Sequence, residues 1–247
     1  MHPHPPHGKA SSFKEHFLHF FMLFLAILGG AFAENLREHN LERTKEQDYF
    51  KSLIIDLNED ITNIDNIIKL KNIKVNQSEQ LIDLFSGFNL DSNSKNIYYF
   101  SRLLTQRDNF HGAEGTIDQL QYSGGFRLIE SDSVVNSINK YIGTKSKIYK
   151  LSEAENDILI NYRIAASKIF VAKIFSSMLN ANKNKGYSYF IKPLDINPPF
   201  FSKLPEHINS IVFWVSSENG NQYASIALLE KLKAQALDLK KLLEKEI

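Results

Sequence analysis

Residues 17–33 read FLHFFMLFLAILGGAFA, and the reading of this run decides the fold. It has 17 residues, and His19 is its only polar side chain. As an α-helix it is about 25 Å long at ~1.5 Å per residue. A bilayer core is ~30 Å thick and usually takes about 17–25 residues. Local thinning and flanking side chains absorb the difference, with Lys14 and Arg37 placed to snorkel. The run is apolar on all faces, which sets it apart from a core helix with one buried stripe. The expected membrane-facing residues are Phe17, Leu18, Phe20, Phe21, Leu23, Phe24, Leu25, Ile27 and Leu28.

A secretory signal is the rival reading. Lys9 and Lys14 form a basic n-region, Phe17 to Leu28 an h-region, and Ala31-Phe32-Ala33 an A-x-A cleavage site. A cut there starts the mature chain at Glu34. Orientation is weakly marked. Lys9 and Lys14 stand on one flank, and Arg37, Arg43 and Lys45 on the other. A count of Lys and Arg slightly favours a cytoplasmic C-terminal side, while the signal-like layout favours the opposite.

From Glu34 the pattern stays helical to about Asn72. Phe50, Ile54, Leu57, Ile61, Ile64 and Ile68 recur at spacings of 4, 3, 4, 3, 4, a heptad seam. Before Phe50 the same frame meets Gln47 and Arg43, so residues 34–49 read as a polar stalk. Asn76 and Glu79 resemble a capping box that starts a short helix to Ser86. Further helices are expected over Asn96–Arg107 and Thr116–Ser123, and from an Asp132 cap through Tyr141, ended by Gly143. Gly124 or Gly125 should take the left-handed position after a helix. Ser152 and Glu155 form a second capping box, opening a helix to about Asn182 with Ile158, Tyr162, Ala165, Ile169, Ala172 and Leu179 inward. Prolines at 193, 198, 199 and 205 exclude a helix between. The last helix spans Glu206–Glu246 with a seam at Leu229, Leu232, Ala236, Leu239 and Leu243, and a strand at 211–215 is its local alternative.

Lys plus Arg number 29 against 28 Asp plus Glu, which argues against a nucleic-acid binder. Zero Cys excludes disulfides, thiolate zinc sites and a Cys nucleophile. Phosphate-loop, dinucleotide, HExxH and GxSxG motifs are absent. His111 with Glu114 could ligate a metal on a helix, but flanking glycines oppose a helix there. Asp56, Glu59 and Asp60 read as a solvated face rather than an acid–base pair. Gly124-Gly125-Phe126-Arg127 could cradle an anion, although capping already explains the glycines. His2, His4 and His7 sit in a Pro-rich tail, residues 1–12, where metal binding competes with an incidental His content. Phe200-Phe201, after two prolines, are candidates for a partner surface.

Three pieces carry a resemblance: AENLREHNLERTKEQDYFKSLIIDLNEDI, YSGGFRLIESDSVVNSINKYIG and the closing LKKLLEKEI. Together they resemble a family of uncharacterised single-pass membrane proteins of Bacteroidota-type bacteria, with one N-terminal span and a helical domain of unknown function. The resemblance implies a retained anchor and supplies no catalytic residue.

The expectation is therefore an all-α chain. A tail (1–12) precedes a transmembrane helix (13–33), which continues through the stalk (34–49) into an antiparallel helical bundle (50–247). The expected role is a non-catalytic scaffold or interaction domain of the bacterial envelope, single-pass in the inner membrane, with a periplasmic domain. Its expected partners are the lipid bilayer and, through the helix seams, a second copy or another protein. No enzyme activity, metal, cofactor or nucleic acid is expected. The alternatives are a sensory or ligand-binding domain, with a polar cluster at Arg127 or Arg163 facing an aromatic cavity, and a secreted protein cut after Ala33.

Overall fold

The computed structural model describes residues 13–181 and 189–247; the His/Pro tail, with His2, His4 and His7, lies outside them. The chain is all-α. Its helices are α1 (Phe13–Ser86), α2 (Ser94–Leu103), α3 (Gly115–Tyr122), α4 (Asp132–Ser167), α5 (Ala172–Ser177) and α6 (Pro205–Glu246). Short 3-10 turns occupy Asp91–Asn93 and Gly125–Leu128. Strands β1 (Leu179–Ala181) and β2 (Tyr189–Ile191) pair in a small antiparallel hairpin.

Three long helices make the body. Lys240 bonds Asn58, Lys233 bonds Asp65 and Tyr223 bonds Glu79, so α6 runs antiparallel to α1. Glu46 meets Glu130, Asp60 meets Tyr141 and Lys74 meets Glu155, so α4 runs parallel to α1. Trp214 and its neighbours belong to α6.

α1 is one helix of 74 residues, and its N-terminal apolar part is long enough to cross a membrane, with none of it buried in the fold. Asn76 does not cap a new helix: its side chain accepts from Gln80 while the backbone ladder continues. The reason is that the apolar frame continues too. Phe50, Leu57, Ile64, Lys71, Ser78 and Phe85 are buried at every seventh position, and so are Leu53, Asp60, Ile67, Lys74 and Leu81. Ile54, Ile61 and Ile68 lie beside this line, half-buried against the same core. The head also reaches further down than Phe50. Glu46 is buried and accepts the Glu130 amide at 3.0 Å.

α4 likewise runs through both of its expected breaks. Gly143 sits inside it, and Ser152 is no cap because Glu155 turns into the core. The helix instead stops at Ser167, well short of Asn182. There Phe170 bridges Phe200, the Phe201 amide bonds the Ile169 carbonyl at 2.8 Å, and the Val171 amide bonds the Tyr98 hydroxyl at 2.9 Å. These partners replace the helical ladder. α2 ends at Leu103, four residues before Arg107.

Leu57→Asp, at a side chain with no exposed surface, should cost at least about 3 kcal/mol and abolish a cooperative melt. Ile55→Asp, two residues away and 66% exposed, should stay within about 0.5 kcal/mol of the parent. Thermal unfolding by circular dichroism checks both, and equal losses would place the buried face elsewhere.

Candidate functional site

The bundle core is divided by a layer of charge. Lys71 and Lys74 on α1, Glu155 on α4, and Glu218 and Gln222 on α6 are each at most 4% exposed. Toward the N-terminal end of α1 from the layer lies one apolar cluster, containing Phe50, Leu57, Tyr141 and Leu239. Distal to it lies a second, containing Leu81, Tyr98, Tyr162 and Ile211.

Lys74 is fully engaged. Its ammonium donates to the Gln106 carbonyl at 2.9 Å and to Glu155 at 3.0 Å, and lies 2.8 Å from Glu218. Lys71 donates to Gln222 at 3.0 Å and stands 3.6 Å from Glu155. The Gln222 amide donates to Glu155 at 3.2 Å and to Glu218 at 2.6 Å. Two cations face two carboxylates, so the layer is neutral. Burial opposes the charge on Lys74, but Glu218 and Glu155 outweigh it and raise its pKa. Burial also opposes the charge on Glu155, and Lys74 and Lys71 outweigh it and hold it below the usual carboxylate range. At Glu218 and at Lys71 burial prevails, raising the acid and lowering the amine.

A second cluster clamps the loop before α3 between α1 and α4. Asp60, 2% exposed, accepts the Ala113 amide at 2.7 Å and the Tyr141 hydroxyl. Lys145 donates to the Ala113 carbonyl at 2.9 Å, reaches Glu114 at 3.0 Å and stands 3.8 Å from Asp60. Tyr149 donates to Glu114 at 2.6 Å. Burial raises the Asp60 carboxyl against the pull of Tyr141, and raises the Tyr141 and Tyr149 phenols. Gly112 leaves room for Lys145: a Cβ there would stand 2.6 Å from the Lys145 Cε and Nζ atoms, and the lysine end would have to shift.

The residues singled out in the sequence separate. Asp56 accepts the Thr116 amide at the start of α3, Asp60 holds the loop, and Glu59 is exposed. His111 is exposed and Glu114 turns to Lys145. Among the described residues no group of three His, Asp or Glu side chains is placed to hold a metal. Gly124 has φ of 72°, the left-handed conformation, and Gly125 packs against Leu120 and Tyr49. The Arg127 amide is already bonded to the Gly124 carbonyl. Phe200 packs in the distal core, while Phe201 is 74% exposed.

Arg163 has a different setting. It lines a cavity of about 490 Å³ together with Arg102, Ser167, Phe170 and Phe175. The sequence reading did not single out Arg102, nor the charged core residues. For two of them the signal was positional: continuing the heptad frame of α1 lands on Lys71, and extending that of α4 backward lands on Glu155, while Lys74 lies on the neighbouring line of Leu53, Asp60 and Ile67. No family model, curated protein or solved structure matches the chain.

Glu155→Gln should destabilise the fold by about 3–5 kcal/mol at neutral pH, since two buried ammonium groups lose a counter-charge. The folded pKa of Glu155 is depressed, so its stabilisation is complete above its ordinary value of 4.5 and is lost as pH falls through the folded value. The gap in melting temperature between parent and variant should therefore narrow as pH falls below about 4.5; a gap independent of pH would refute the assignment. Gly112→Ala should cost about 1–3 kcal/mol by displacing Lys145. Gly143→Ala, where a Cβ meets nothing within 4 Å, should instead gain about 1 kcal/mol as a helix-interior change. Chemical denaturation reads both signs.

Proposed function

We propose that this chain is a membrane-anchored, non-catalytic helical protein of the bacterial envelope. In this reading it holds an interaction domain at a set height above the inner membrane on the periplasmic side. The observation that carries the reading is α1. An apolar segment with no buried residue passes without interruption into the helix that supplies Lys71 and Lys74 to the centre of the domain. A segment with that continuity is a mechanical part of the domain. Resemblance to single-pass proteins of Bacteroidota-type bacteria favours the same retained anchor.

The polar clusters support a structural role. Lys74 spends its three protons on Gln106, Glu155 and Glu218. Lys145 is spent on Ala113, Glu114 and Asp60. A catalytic acid or base must exchange a proton with a substrate within hydrogen-bond reach, whereas these groups are engaged with the fold. One observation favours a second reading, a sensory or ligand-binding domain: the Arg163 cavity has an aromatic wall.

Intact mass of the native protein, from alkaline-washed membranes and from the soluble envelope fraction, tests the anchor. Full-length chain in the washed membranes is the expected result. A soluble chain beginning at Glu34 would replace the anchor with export and cleavage.

A further inference from the structure

We infer that the end of the body where α1 and α4 finish and α6 begins docks on an anionic lipid surface. The inference goes beyond the anchored reading, and within that reading the surface belongs to a second bilayer.

Topology gathers this end. α4 runs parallel to α1 and α6 antiparallel, so the turn after Ser86, the chain after Ser167 and the approach to Pro205 meet there. Hydrogen bonds join the three. The Asn197 side chain donates to the Ser92 carbonyl at 2.9 Å and accepts the Lys95 amide at 3.1 Å. Lys203 reaches Asp91 at 2.6 Å. The Phe201 amide bonds the Ile169 carbonyl, and Tyr98 donates to the Pro199 carbonyl.

Four large apolar side chains stand exposed on this pinned backbone. Phe88 is fully exposed, Ile196 by 78%, Phe201 by 74% and Leu204 by 51%. Turning the last three inward would break the bonds of Asn197, Phe201 and Lys203. A group of exposed apolar chains marks an interaction surface. None of the four lines the cavity at Arg163 or the one at Leu84 and Phe100. They are protrusions, and a protein partner would need a matching pocket for each. Lipid closes around any apolar protrusion that reaches its headgroup boundary.

Charge at the same end selects the lipid. From Arg163 to Leu204 the described residues hold Arg163, Lys168, Lys173, Lys192 and Lys203 against Asp195 alone, in a chain whose net charge is +1. Lys168, Lys173 and Lys192 are exposed, and across the turn Asp91 is taken by Lys203. Basic side chains are drawn to an anionic leaflet, and apolar neighbours then enter it. At ~1.5 Å per residue Ser86 stands about 80 Å from Ala33. With the apolar segment in one bilayer, this end is presented to another, and the chain is a tether.

Co-sedimentation tests the assignment. The full chain, held in phosphatidylcholine nanodiscs, is mixed with sucrose-loaded vesicles of equal parts phosphatidylglycerol and phosphatidylcholine, or of phosphatidylcholine alone. The anionic vesicles should capture it at least about tenfold more tightly, and capture should weaken as salt rises to about 1 M, where the screening length falls to ~3 Å. Lys168→Gln, Lys173→Gln and Lys192→Gln together should weaken capture about a hundredfold, about fivefold per charge. Phe88→Ser with Ile196→Ser should weaken it about tenfold or more. Ile55→Ser, exposed on α1 far from this end, should leave it unchanged. All these side chains are exposed, so each variant should keep the parent's melting temperature. Equal capture by neutral vesicles, or silence of the lysine changes, would overturn the anionic surface. Silence of the Phe88–Ile196 pair would overturn insertion and the choice of lipid with it. Tighter binding to polyglutamate than to the vesicles would assign this end to an acidic protein and overturn the proposal. No capture by either vesicle, with the chain still in its disc, would overturn docking and leave the anchor standing. A chain that leaves the disc yet pellets with anionic vesicles would support docking and remove the anchor.

Discussion

Two lysines inside a hydrophobic seam are costly unless each finds a carboxylate, and that condition organises this bundle. Lys71 and Lys74 come from α1, Glu155 from α4 and Glu218 from α6, so all three helices must arrive at one height together. Slipping α6 by one heptad would bring Ser225 or Ile211 to the place of Glu218 and leave Lys74 facing an uncharged side chain. Apolar seams tolerate such a slip, because one leucine layer resembles the next. An unpaired buried charge does not, at roughly 3–5 kcal/mol. The layer therefore sets register more than it adds stability, in the way a buried polar position selects one alignment of a coiled coil.

The rest of the molecule is arranged on either side of that layer. Toward the N-terminal end of α1, α1 and α4 are bridged by the loop at His111–Glu114, which is hydrogen-bonded to Asn63 and Asp60 on one side and to Lys145 and Tyr149 on the other. At the opposite end, the segment after α4 meets the segment before α6 at Phe170 and Phe200, and aromatic rings fill the space. The first half is closed by hydrogen bonds to backbone. The second is closed by ring packing around Tyr98, and it contains the cavity at Arg102 and Arg163.

Helical class and the main seams were legible in the sequence because apolar side chains at spacings of three and four leave few other solutions. The seam of α6 is buried at every position named from its periodicity, Leu229 to Leu243. Boundaries were less legible. Asn76, Gly143 and Ser152 have the chemistry of helix ends, yet tertiary packing carries the helix through each, since the cost of one helical glycine is small beside a buried face. The charged layer was hidden for a related reason. A lysine breaking an apolar frame looks like the end of a seam, and only the opposing helices reveal it as a continuation. The Arg163 cavity depends on α4 ending at Ser167, which follows from partners more than thirty residues away in the chain, at Phe200 and Phe201.

The unbroken course of α1 makes the molecule a lever. No proline interrupts residues 13–86, and Ser86 stands about 80 Å from Ala33 at ~1.5 Å per residue. The apolar segment is the short arm and the bundle is bolted to the long one. A tilt of roughly 5° at the apolar segment sweeps the far end through roughly 7 Å. Forces on the distal face are returned to the apolar segment with the same gearing. Small rotations of the apolar segment thus become large displacements of the arginine-lined end of the domain.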